Sequence, residues 1–138
     1  MKHVASISEL VAALAKPRPL TEFKCSCEAE RTVTFHRFED LPVILCICLK
    51  RFSFTNGATK KLLTKVSNPL ADIIVQGISY CLKSVVIHSG SENSGHYVSI
   101  VFHQPDWWLC NDSSVKKLSS DRARALAENG YLFLYRKK

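Results

Sequence analysis

Gly95-His96-Tyr97-Val98-Ser99-Ile100-Val101-Phe102-His103-Gln104-Pro105-Asp106-Trp107-Trp108-Leu109-Cys110-Asn111-Asp112-Ser113 reads as two strands joined by a turn at Gln104-Pro105-Asp106. Residues that meet across an antiparallel hairpin have index sums set by the turn. A centre between His103 and Gln104 puts His96 opposite Asn111, and a centre on Gln104 puts it opposite Asp112. A centre between Gln104 and Pro105 puts Ser113 opposite and leaves Asn111 diagonal on the same face. Facing Cβ atoms lie about 5 Å apart, so an imidazole reaches an amide or a carboxylate directly. The pattern therefore supplies a histidine with an adjacent polar group, and leaves Asn111 and Asp112 both open.

That pairing has a chemical use. A histidine base presents one nitrogen to a nucleophile while a partner fixes the tautomer at the other. A cysteine nucleophile tolerates a neutral amide in the orienting position, because its thiolate–imidazolium pair already exists at rest. Gly95 leaves room for a substrate backbone to pass close by. A lone strand histidine is nonetheless more often a core or surface residue than a catalyst, so position alone does not decide the function.

Upstream, Ser6-Ile7-Ser8-Glu9 has capping-box spacing, and Leu10, Val11 and Leu14 follow at helical intervals until Pro17. A helix is expected over 7–16, then a rigid Pro17–Pro19 connector. Thr32–Phe38 alternates and reads as a strand. Val43–Leu49 is apolar on both faces, as in a central, doubly covered strand. Residues 58–78 hold a basic start, then Asn68-Pro69 and the apolar Ile73-Ile74-Val75, and further strands are expected at Tyr80–Ile87 and Tyr131–Tyr135, with a polar loop from His88 to Gly95. Ser119 or Ser120 caps a helix running to Ala127. This order of elements gives an α+β architecture with a largely antiparallel sheet.

The 138 residues fit one domain, with 46% hydrophobic and 22% charged residues, as in a globular chain. The net charge of +7 is spread over short clusters such as Lys60-Lys61 and Lys116-Lys117 with no aromatic groove beside them. We read it as a solvated basic surface and expect no nucleic-acid partner. The longest unbroken apolar run, Leu41–Leu49, is too short for a bilayer, and Glu9 interrupts what precedes Val11–Ala15, so neither a membrane nor a secretory signal is expected. The six cysteines are then expected as free thiols in an intracellular compartment, cytoplasm or nucleus, with Cys46 and Cys48 acting as small hydrophobes in a buried strand.

The hairpin and its flanks resemble the C-terminal part of the ubiquitin-specific protease family, papain-like cysteine deubiquitinases. The matching pieces run in the family's order. They are Ser8–Leu14, Phe23-Lys24-Cys25 with Cys27, Leu41–Phe52 ending in Leu49-Lys50-Arg51-Phe52, Tyr80–Gly90, Gly95–Val98, Trp107, Asn111–Val115 and Tyr131–Arg136. The resemblance implies residues 1–40 as a helix and partial fingers and 41–138 as the palm, with the thumb absent. It also implies His96 as general base, Asn111 as its orienting residue and Asp112 as a second polar group able to share that task. His88, Gly95 and Tyr97 would belong to the channel for ubiquitin's C-terminal tail. The reaction implied is hydrolysis of the isopeptide or peptide bond at ubiquitin's C-terminal glycine, with ubiquitin and ubiquitinated proteins as partners.

Two features depart from the family. No Gly-Asn-Thr-Cys-Tyr-like nucleophile box occurs, and Cys110 should point away from His96. The chain is therefore expected to be inactive without a thumb segment, or else to be a catalytically dead ubiquitin-binding or scaffolding module. A fingers zinc needs four ligands, and only Cys25 and Cys27 are at hand, with His36 a strand residue. No cofactor is expected, and a zinc-ribbon nucleic-acid binder on those residues is the weakest alternative.

Overall fold

The computed structural model describes residues 4–22, 26–27, 32–55, 57–91 and 94–138. Helix α1 (Ile7–Leu14) opens the chain, with Ser6 and Glu9 forming the reciprocal capping box the spacing predicts. Strands β1 (Arg18–Pro19) and β2 (Val33–Thr34) make a two-residue ladder. The expected strand over 32–38 is thus cut to two residues, because Pro19 lacks an N–H and the connector cannot extend the pairing. The Phe23-Lys24-Cys25 stretch lies outside the described residues.

The remaining strands are β3 (Ile44–Cys48), β4 (Phe52–Thr55), β5 (Ala58–Lys61), β6 (Ile73–Val75), β7 (Ile78–Gly90), β8 (Gly95–His103), β9 (Asp106–Asn111) and β10 (Ser114–Leu118). Helix α2 (Ser120–Ala127), capped by Ser119, and β11 (Gly130–Lys137) close the chain. Seven strands form one antiparallel sheet in the order β10-β9-β8-β7-β11-β3, with β6 also on β7. Strands β4 and β5 form a separate hairpin. The α+β architecture with a largely antiparallel sheet is therefore what the chain adopts.

One face of the large sheet carries the core. Leu45, Tyr135, Phe133, Val85 and Ile100 follow one another across paired strands, and each is buried. Ala123 and Ala127 of α2 close over this face, their small side chains letting the helix approach. Gly130 sits where a Cβ would strike the Phe133 ring and the Val85 side chain, so only glycine fits between α2 and β11.

Strand β3 corrects an expectation. Among the described residues it pairs with β11 alone and forms an edge of the sheet, while β7 and β11 occupy the interior. Leu45 is buried, but Ile44, Cys46 and Cys48 are exposed, so these cysteines are not core residues. The strand is apolar on both sides because both sheet faces are apolar here, and only one is covered within the chain. Pairing puts Cys46, Leu134, Ser84, Val101 and Trp108 in a row on that second face, none of them buried.

Among the described residues Arg51 is the one charged side chain in the core, 7% exposed. Its guanidinium donates to the carbonyls of Gly130 at 2.8 Å, Thr64 at 2.5 Å, and Leu62 and Glu128 at 3.3 Å each. The fork joins the segment after β5 to the end of α2 and the start of β11. Burial lowers its pKa from the ordinary value, yet a guanidinium stays charged at neutral pH.

Candidate active site

Two hairpins in series present the site. Strand β7 runs to Gly90 and β8 starts at Gly95, so His88, Ser89, Gly90 and Gly95 of the expected His88–Gly95 loop are strand residues. Between β8 and β9, His103 pairs Asp106 and Ser99 pairs Cys110, an index sum of 209. The turn therefore centres between Gln104 and Pro105, the third of the three registers, and Asn111 lies diagonal to His96. A second tight turn at Asp112-Ser113 leads to β10, which the sequence reading missed. There Asp112 takes a positive φ of 49°, which aspartate tolerates better than most residues.

His96 Nε2 lies 2.6 Å from Asn111 Oδ1. The nearest Asp112 oxygen is 3.9 Å away, beyond hydrogen-bond distance, and that carboxylate is largely in solvent. The amide oxygen accepts, so Nε2 carries the proton and Nδ1 is left as the basic nitrogen. His96 is half-exposed, as a base that must meet a substrate has to be.

His96 shares its sheet face with Ser89 and Ile100, while the adjacent residue Tyr97 pairs His88 on the opposite face. Cys46, Cys48, Cys81 and Cys110 all pair onto that opposite face. None of these thiols shares the side on which His96 stands. Cys27 is exposed, His36 is exposed, and Cys25 lies outside the described residues.

On the opposite face at the same end, His88, Tyr97 and Tyr131 cluster, with His88 and Tyr97 ring centroids 4.6 Å apart and Tyr131 6.4 Å from each. Phe52 of β4 stands 6.0 Å from His88. A bulge in β11 between Gly130 and Leu132 turns Tyr131 towards this group. Gly95 is under a packing constraint, because a Cβ there would collide with the His88 ring and the Ser89 carbonyl oxygen. Lys61 Nζ reaches His88 Nδ1 at 3.2 Å. Burial, and then the Lys61 charge, lower the His88 pKa from its ordinary 6.5. Sequence reasoning missed Lys61, Phe52 and Tyr131, since the Lys60-Lys61 pair carries no pattern that separates it from a solvated surface.

The sequence model of the family described as ubiquitin carboxyl-terminal hydrolase matches residues 5–135. Ubiquitin carboxyl-terminal hydrolase 22 of Bos taurus is 29% identical over 99% of this chain and 32% of its own length. Ubiquitin carboxyl-terminal hydrolase 11 of Schizosaccharomyces pombe is 33% identical over 68% of this chain and 27% of its own. The SAGA Ubp8/Sgf11/Sus1/Sgf73 DUB module bound to ubiquitin aldehyde contains a chain that superposes with a TM-score of 0.72 at 27% identity, covering 100% of this chain and 34% of that one. The chain thus spans about a third of the length of these relatives. With a family match over nearly all its length, and a fold shared with part of a ubiquitin-specific protease, the chain belongs to the ubiquitin carboxyl-terminal hydrolase family.

Proposed function

We propose that this chain is the histidine-bearing, C-terminal part of a cysteine-type deubiquitinase domain, with residues 1–40 forming the helix and partial fingers and 41–138 the palm. The observation that carries the proposal is the His96 Nε2–Asn111 Oδ1 hydrogen bond of 2.6 Å on a two-hairpin sheet end. His96 acts as general base through Nδ1, Asn111 holds its tautomer, and Asp112 adds a nearby negative charge. The thiol comes from a thumb segment outside these 138 residues, since Cys46, Cys48, Cys81 and Cys110 pair onto the other face.

In this mechanism the imidazole already holds the thiol proton at rest, and the thiolate attacks the carbonyl carbon of ubiquitin's last glycine. The C–N bond breaks as the imidazolium returns the proton to the leaving amine, which leaves a thioester. Water then loses a proton to the imidazole and attacks the thioester, and the thiol leaves protonated. Gly95 borders the approach for the ubiquitin tail at the sheet end beside His96, with His88 and Tyr97 bounding that end from the other face. Ubiquitin and ubiquitinated proteins are the partners, inside the cell, with no cofactor required.

The test is hydrolysis of a fluorogenic ubiquitin substrate by this chain alone and after addition of a thumb half bearing the family nucleophile. We expect turnover only in the complemented sample, abolished by His96→Ala. Turnover that survives His96→Ala would remove His96 from the mechanism. The second reading, a catalytically dead ubiquitin-binding or scaffolding module, is favoured by the missing nucleophile box. It predicts ubiquitin affinity with no turnover in either sample.

A further inference from the structure

Lys61 ends β5, and its ammonium group crosses to the last residues of strand β7. Nζ donates to the carbonyl oxygens of His88 at 2.8 Å and Gly90 at 3.1 Å, and to His88 Nδ1 at 3.2 Å. An ammonium has three N–H groups and no acceptor, so these three partners saturate it and require the neutral, Nε2–H tautomer of His88. No N–H is left for an anionic ligand, which argues against a carboxylate-binding role. The two carbonyls bracket Ser89, and Ser89 is the residue that pairs with His96. The His88 ring fills the space over Gly95 and stacks on Tyr97, the neighbours of His96 on either side.

We propose that Lys61 is a positioning residue for His96. It clamps the β7 backbone on both sides of Ser89 and seats the His88 ring against Gly95 and Tyr97, and so holds the start of β8 where His96 meets Asn111. The catalytic consequence rests on the deubiquitinase reading, whereas the clamp itself rests on geometry alone.

Two measurements test it, and they separate the two readings. In the first, the isotopically labelled chain is titrated by NMR. The Lys61 Nζ nitrogen shift should move with the same midpoint as the His88 ring, because protonating Nδ1 removes an acceptor. In Lys61→Met the His88 midpoint should rise, and amide exchange around Ser89 and His96 should quicken at least tenfold while α2 is unchanged. A flat Lys61 signal, or a variant with unaltered His88 titration and exchange, overturns the proposal. In the second, Lys61→Met in the complemented enzyme should lower kcat about tenfold with KM unchanged, with partial recovery in Lys61→Arg. A raised KM at unchanged kcat would make Lys61 a substrate-binding residue instead. If the complemented wild type shows no turnover, the deubiquitinase reading fails, and the NMR titration still decides the clamp.

Discussion

His96 meets an amide oxygen at 2.6 Å, with the carboxylate of Asp112 standing 3.9 Å off in solvent. The two polar neighbours should therefore separate on substitution. In the complemented enzyme, Asn111→Ala should cut kcat/KM by about a hundredfold, a loss of about 3 kcal/mol of transition-state stabilisation, while Asp112→Ala stays within about tenfold. Equal losses would return the orienting role to both. Gly95 offers a second test at the same scale. Gly95→Ala drives a methyl into the His88 ring and should cost more than about 1 kcal/mol in urea denaturation. His88→Ala should relieve only part of that cost in the double variant, because the Ser89 carbonyl oxygen, 2.5 Å from a Cβ at this position, remains, and fully additive losses would show that the ring is not a cause. The sequence shows that His96 and a polar group share one face, because alternation fixes faces. It does not show which group, because a half-residue shift in the turn centre changes every pairing.

At the scale of elements, Arg51 carries the greatest consequence. Four backbone carbonyls, from Leu62, Thr64, Glu128 and Gly130, depend on one guanidinium. Arg51→Leu would leave the buried Gly130 carbonyl without its donor, at about 1–3 kcal/mol, and would strip the part-buried Leu62, Thr64 and Glu128 carbonyls of theirs at a lower cost each. We expect a loss of about 3 kcal/mol or more, read as a drop in urea midpoint. Arg51→Lys should rescue it only in part, since a point charge cannot reproduce the fork. Most helices and strands are legible in the sequence, because the capping box of α1, the Ser119 cap of α2 and the alternation in β7 and β8 are local signals. The edge position of β3 and the staple made by Arg51 are not local. Both arise from partners far along the chain, and an apolar run reads alike whether its second face is covered or open.

For the whole molecule, pH and concentration are the informative variables. His88 is held neutral amid Lys61 of β5, Phe52 of β4, Tyr97 of β8 and Tyr131 of β11. Its folded pKa lies below the unfolded 6.5, so between the two values the unfolded chain binds more protons. Its contribution to stability is complete above about pH 6.5 and is lost as pH falls towards the folded value. Tyr135 acts at the other end, where burial and then Asp72 raise its folded pKa above the usual 10. The unfolded chain releases that proton first, so stability declines once pH exceeds about 10. Urea midpoints across pH should show both limbs, with Tyr135→Phe flattening the alkaline one.

The open sheet face governs the response to concentration. Ile44 at one edge is 53% exposed and Val115 at the other 59%, with Leu132, Leu134, Val86, Val101 and Trp108 half-buried between them. This apolar-rich face crosses six strands, interrupted by Ser84, Ser99, Lys117 and Arg136, and among the described residues β3 adds an unpaired strand edge beside it. The isolated chain should therefore self-associate, with its sedimentation coefficient rising over the micromolar range. Ile44→Lys with Val115→Lys places charges at the two margins, on side chains that make no core contact. The pair should shift association to at least tenfold higher concentration without changing the urea midpoint. If the unaltered chain stays monomeric throughout that range, the face is not adhesive, and the case that it awaits a covering segment loses its physical ground.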